Sequence, residues 1–300
     1  MQLLTTSDRQ LRLPKHEWIR LKKNHREVLA AILDPYLDAR SKQEKNPVLD
    51  FLFEYYKFRP AHLMRWSPGP GVVLELSDSD ESLLPELSEL LVEDGAAYLN
   101  PALFPKKRLR AIRWMLSVLK NSRSNKPMFG CFGMHEWAMV YRAGEIRHEQ
   151  IPLRLPPDEI ARFVESRPLL CTHFDAFRFF TEPARPLNKH HLSRDTFADM
   201  EQPGCIHTNM DLYKWAYKLY PWISSELIRE AFLNACEARK TDMQASPYDA
   251  RSFGLEPIKI ETDEGRKEYI TRQMEIYENS MPIREKLIDA YERVLEWGEG

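Results

Sequence analysis

The sequence predicts a mainly α-helical globular fold, a multi-helix domain with one or two short β elements. Three observations lead there. Apolar residues recur at the spacing of one helix face in most long stretches. An apolar content of 43% is enough for a substantial core. Strand-like runs are few, chiefly GVVLEL and EPIKIET. Charged residues make up 29% of the chain, with both signs interspersed and a net charge of −2, so only a local patch could attract a polyanion.

The elements follow in order. EWIRLKKNHREVLAAILDPYLDARSK reads as a helix pair, because Pro35 should kink or divide a single helix. PVLDFLFEYY continues in helical style until the Pro and Gly cluster of FRPAHLMRWSPGPGVV demands a loop, and GVVLEL supplies a short strand. Asp78, Asp80 and Glu81 then place acid at the start of a helix through ESLLPELSELLVEDG that ends at Gly95. KKRLRAIRWMLSVLKNS is another helix. The polar segment NSRSNKP, residues 121–127, is a candidate joint between lobes 1–122 and 127–300, but it is short, and one domain over 1–300 is the expectation. MFGCFGMHEWAMVYRAGE has two readings. It is either a helix from Met134 to Tyr141 stopped near Gly144, or the first strand of a hairpin turning at AGE into IRHEQIPLRL. PDEIARFVES, MDLYKWAYKLY, SELIREAFLNACEARKTDM and the long EGRKEYITRQMEIYENSMPIREKLIDAYERVLEW, broken near Pro282, read as helices. EPIKIET is a late strand, and no repeat of solenoid length is present.

No stretch is long and apolar enough to span a membrane, and the opening residues lack the apolar run of a signal peptide, so a cytoplasmic protein is expected. Cys131, Cys171, Cys205 and Cys236 form no C-x-x-C pair, which argues against a zinc ribbon and for reduced thiols.

Candidate chemistry sits in three segments of similar make-up, CFGMHEW, CTHFDAF and CIHTNMD. Each joins a cysteine to a histidine and then an acid. His135, His173 and His207 are candidate ligands for iron, manganese or zinc, and Glu136, Asp175 and Asp211 are candidate acid–base groups or further ligands. His207 and Asp211 lie four apart, on one helix face. H-E-x-x-H is absent, as are the nucleobase-deaminase pattern and any nucleotide-cofactor motif. Lys214 stands where the H-x-x-x-D-x-x-H run of helical oxidases would need a ligand. A plainer reading is also physical: Thr172 with Asp175, Thr208 with Asp211, and Ser246 with Asp249 have capping-box spacing, and cysteines are ordinary core residues. In FRFFTEPARPLN, Arg178, Arg185 and Asn188 offer donors to an anionic substrate, and Trp137, Phe174 and Trp215 offer aromatic walls. Trp66 beside Arg65 reads better as a core plug.

In NPVLDFLFEYYKFRPAHLMRW, CFGMHEWAMVYR, THFDAFRFFTEPARPLN, EQPGCIHTNMDLYKWAYKLYP and DMQASPYDARSFG, the chain resembles a bacterial family whose members often carry the label 3-methyladenine DNA glycosylase. That resemblance spans nearly the whole chain and implies a metal-free N-glycosylase acting on alkylated purines. The residues themselves show neither the glycine-rich hairpin with a following aspartate nor a basic stripe for duplex DNA, though an aromatic pocket and Asp175 would meet a glycosylase's minimal needs. The residue types point first to a metal-dependent hydrolase or oxygenase acting on a small or nucleobase-like anionic substrate. A non-catalytic helical protein is the third expectation.

Overall fold

Pro14 fixes the entry into the first helix, α1 (Lys15–Ser41), which buries Trp18, His25, Leu29, Leu33 and Tyr36 along one stripe. This is a computed structural model that describes residues 11–77, 80–144 and 151–299. Pro35 does not divide α1, nor does Pro282 break the last helix. A proline removes one hydrogen bond and crowds the preceding turn. Leu33 and Tyr36 anchor the helix in the core on either side of Pro35, and Ile276, Ile283 and Leu287 do the same around Pro282.

Asn46 caps α2 (Pro47–Asp50) by accepting from the Leu49 amide, and the chain continues directly into a π-helical turn, Phe51–Tyr55. After α3 (Pro60–Leu63), GVVLEL supplies a strand as expected. The sheet has four strands: β1 (Leu11–Leu13), β2 (Val72–Glu75), β3 (Leu90–Glu93) and β4 (Ala96–Leu99), in the order β1-β2-β4-β3. β1 runs parallel to β2, with Leu13 opposite Leu74, and the other pairs are antiparallel.

The helix expected over 81–95 is therefore corrected. Glu81–Leu83 forms one 3-10 turn, and β3 and β4 make a hairpin around Asp94 (φ 48°) and Gly95 (φ 70°). Asp-Gly is a strong hairpin-turn pair, and here it outweighs the acidic helix-start pattern. Asp78 lies outside the described residues. EPIKIET is corrected too: it is irregular, with Ile258 N bonded to Gln244 O.

The remaining helices are α4 (Leu109–Ser124), α5 (Met134–Val140), α6 (Pro157–Glu165), α7 (Phe174–Phe177), α8 (Phe197–Met200), α9 (Ile206–Leu219), α10 (Ser225–Ala245) and α11 (Asp263–Glu299). Met134–Val140 takes the helical alternative, and part of the alternative hairpin, residues 145–150, lies outside the described residues. α9 packs against both α10 and α11, and α4 against α11. The main core cluster joins Leu29, Phe53 and Ile112 to Leu212, Phe232 and Leu287, so it crosses the 121–127 segment. A second cluster gathers α5, α6, the end of α10, Tyr248 and Tyr269. Among the described residues, no helix is long and apolar enough to cross a membrane.

Candidate functional site

The two core clusters meet where α5, α7, α9 and the end of α10 come together. Phe132 and Gly133, both at positive φ, turn the chain into α5 and leave His135 and Glu136 buried in its first turn. His173 immediately precedes α7, and His207 lies in the first turn of α9. The structure brings all three imidazoles together: the His135 and His207 ring centroids are 4.4 Å apart, and His173 stacks on His207 at 5.3 Å and 13°.

Each imidazole has its own surroundings. His135 Nε2 is 2.7 Å from Asp242 Oδ1, and its Nδ1 faces the Cys131 thiol at 3.5 Å. Burial opposes a charge on His135, yet the Asp242 carboxylate raises its pKa well above the usual imidazole value. His173 Nδ1 is 2.8 Å from Glu201 Oε1 but off the hydrogen-bond line, which leaves both atoms without an aligned partner. Burial again opposes the charge, and Glu201 again raises the pKa. His207 differs. Burial and the neighbouring His135 hold its pKa well below the usual value, so it is the neutral member of the three.

The carboxylates carry built-in cations. Asp242 is held ionised against its burial by His135 and Arg239. Arg239 bridges Asp242 and Glu136, the latter at 3.0 Å. Asp211 accepts from Tyr56 OH at 2.7 Å and from Lys214 Nζ at 2.6 Å. Lys214 also reaches Asp175 at 3.3 Å, and Arg178 sits 3.4 Å from Asp175 and 3.3 Å from the Tyr55 hydroxyl. Capping is thus not what these acids do. Thr208 lies inside α9 and donates to Glu201, while Asp211 is in the second turn. α7 has no side-chain cap, and Asp249 rather than Ser246 caps the following 3-10 turn.

A cavity of about 390 Å³ opens onto this network. Its lining combines the polar Glu136, His173, Asp175, His207, Asp211 and Arg239 with the aromatic Phe51, Tyr55, Tyr56, Phe179, Tyr248 and Phe253. The π-helical turn delivers Phe51 and Tyr55 to that lining; such turns are frequent at functional sites because they rotate side chains out of the α-helical register. Arg239 also lies 4.3 Å from the Phe51 ring centroid.

Several residues singled out by sequence are elsewhere. His135 stands behind His207 rather than in the lining. Trp137 is fully buried, bonded to Ala245 O and stacked by Arg154. Trp215 packs in the main core beneath Lys214 and Lys218. Asn188 is a staple that bonds the Cys171 amide and carbonyl, Arg185 is exposed with a 3.4 Å bond to Arg178 O, and Phe174 packs between the two clusters. Arg178 is 45% exposed and lies outside the cavity lining.

Asp242, Arg239, Glu201 and Tyr56 were not singled out by sequence, and two of them left a signal. Arg239 and Asp242 fall on the α10 stripe otherwise made of Ala231, Ala235, Ala238 and Ala245, all buried. Charge on an apolar stripe is costly unless paired, so it marks a buried network. Glu201 and Tyr56 carry no comparable mark.

Among the described residues, two groups could hold a metal ion: His135, His207 and Asp242, and His173, Asp175 and Asp211. Within each group the ligand atoms lie within 4.8 Å of one another. Compared with protein-family models, curated proteins and solved structures, the chain gives no match, so the chemistry rests on the geometry of the site itself.

Proposed function

We propose that the protein is a cytoplasmic metal-dependent enzyme acting on a small or nucleobase-like anionic substrate. The observation that carries this reading is the meeting of two His/Asp groups across the His173–His207 stack, in the lining of a cavity that also carries aromatic side chains. Neutral imidazole and carboxylate are the donors that iron, manganese or zinc takes, and His207 is already neutral. Such an ion supplies a Lewis acid and an activated water, or a centre for oxygen chemistry. The chain's own residues do the rest. Asp242 would ligate beside His207, and Glu201, 2.8 Å from His173 Nδ1, takes the place of a carboxylate behind a ligating histidine. Phe51, Tyr55 and Phe179 line the cavity with rings that exclude water. Arg178, outside the lining but 3.3 Å from the hydroxyl of the lining Tyr55, would offer its guanidinium to negative charge on the substrate.

A second reading has its own observation. Lys214 already pairs with Asp211 and Asp175, and Arg239 with Glu136 and Asp242, which suits a metal-free pocket. A metal-free N-glycosylase, the activity implied by the family resemblance, would use a carboxylate such as Asp175 to stabilise positive charge developing on a sugar.

Elemental analysis of the purified protein separates the two. Iron, manganese or zinc should be near-stoichiometric, and His207→Ala should lose it while keeping the helical circular dichroism spectrum. Protein that remains metal-free after growth with each metal gives the second reading precedence.

A further inference from the structure

We propose that the His173, Asp175 and Asp211 group is a cation site already filled from within the chain, by the Lys214 ammonium. The protein then holds one metal ion, at His135, His207 and Asp242, and not two. The placing of that ion rests on the metal-dependent reading above; the filling of the second group does not. In each group three donors meet, with ligand atoms within 4.8 Å of one another. In the second group a positive charge is already present. Lys214 Nζ is 2.6 Å from Asp211 Oδ2 and 3.3 Å from Asp175 Oδ2, so it meets both carboxylates of the group.

Local structure fixes that charge in place. Asp211 and Lys214 are neighbours one turn apart on α9, and Asp175 comes from the first turn of α7. The Lys214 side chain is 13% exposed, and its Nζ lies 4.4 Å from the Trp215 ring centroid, over a face that favours a cation. Moving the ammonium into water would leave the buried Asp211 carboxylate without its cation. Zinc binds carboxylate oxygen at about 2.0–2.2 Å, so an ion joining Asp175 to Asp211 has to stand where Nζ stands, or beside it against like charge. The first group differs. Among the described residues Arg239 pairs with Asp242 and with Glu136, which belongs to neither group. An ion entering there competes with the guanidinium for one donor of three, whereas at the second group it competes with Lys214 for two.

Elemental analysis of the full chain, grown with added zinc or manganese and then desalted, tests this. Lys214→Ala should hold one ion more than the wild type, and Lys214→Arg, which keeps the charge, should hold no more than the wild type. Adding Asp175→Asn to Lys214→Ala should remove the extra ion. Zinc should also raise the melting temperature of Lys214→Ala by about 5 °C more than that of the wild type. If the loss of their cation keeps the two acids from folding into place, growth with either metal should recover folded Lys214→Ala or Lys214→Gln, and failure to recover both variants overturns the proposal. Equal metal content in the wild type and Lys214→Ala overturns it too, as do two ions in the wild type or an extra ion that survives Asp175→Asn. A wild type without metal, beside Lys214→Ala holding one ion, overturns the metal-dependent reading and leaves the filled site standing.

Discussion

At the scale of single residues, a buried charge is governed by its partner. Asp211 has Tyr56 and Lys214 on its carboxylate, and the Lys214 side chain is only 13% exposed. Asp211→Asn therefore strands a buried ammonium with Asp175 alone, and should destabilise the fold by about 3 kcal/mol, against about 1 kcal/mol or less for a lost helix cap. Denaturant titration of Asp211→Asn, Lys214→Met and the double variant checks this: the double should be less destabilised than the sum of the singles. His25 gives a different test. It is buried with Nε2 bonded to Leu63 O at 2.9 Å, and burial lowers its pKa to about 4. Below the unfolded value of about 6.5 the unfolded chain binds a proton that the folded one refuses. Stability attributable to His25 is thus complete above that pH and is lost as pH falls toward 4. Between pH 7 and 4.5, wild-type protein should lose about 2 kcal/mol more than His25→Gln, whose amide donates without titrating. An identical acid slope in the two proteins would remove His25 as the cause.

At the scale of elements, two glycines separate stability from site geometry. Gly95 at φ 70° closes the β3–β4 hairpin, and nothing nearer than Leu76 O at 3.7 Å would meet an added methyl group. Gly204 lies just before α9, and a Cβ there would come within 2.7 Å of Met128 O. Gly95→Ala should cost about 1 kcal/mol of turn strain with metal content unchanged. Gly204→Ala should cost at least as much and should also reduce metal content, because it pushes the Cys131 and Cys205 segments apart. Melting temperature and elemental analysis, measured on both variants, check the pair. The same elements show what the sequence could reveal. α9 and α10 were legible because their apolar stripes repeat over many turns, and His135, His173 and His207 because each sits beside a cysteine and an acid. The hairpin was obscured by a run of acids and leucines that resembles a helix start, although Asp94-Gly95 marked it. Pro35 and Pro282 misled because packing on both sides outweighs one lost hydrogen bond. Trp137 and Trp215 misled because an aromatic beside a site motif looks the same in sequence whether it faces a cavity or the core.

At the scale of the whole molecule, charge bears on the choice between the two functional readings. The net charge is −2, and the densest basic run is Lys106, Lys107, Arg108, Arg110 and Arg113, leading to Trp114, which is 47% exposed. Non-specific affinity for duplex DNA comes mainly from phosphates neutralised by clustered cations, each contributing about −0.9 to the slope of log affinity against log salt. One short run on α4 and the 3-10 turn before it can engage only a few phosphates. Binding to undamaged duplex should therefore be weak at physiological salt, and what remains should fall further in Lys106→Ala/Lys107→Ala/Arg110→Ala. An enzyme that searches genomic DNA for rare damaged bases needs that non-specific affinity, so efficient release of 3-methyladenine from alkylated duplex is not expected. Mass spectrometry of free base, after incubation with and without Fe(II) or Mn(II), decides. Excision that needs no metal, proceeds at enzyme-like turnover and disappears in Asp175→Asn would replace the metal-dependent reading with the glycosylase. Absence of release in every condition, from protein that binds a metal, would confine the cavity to free small molecules, for which no duplex has to be held and a near-neutral surface carries no penalty.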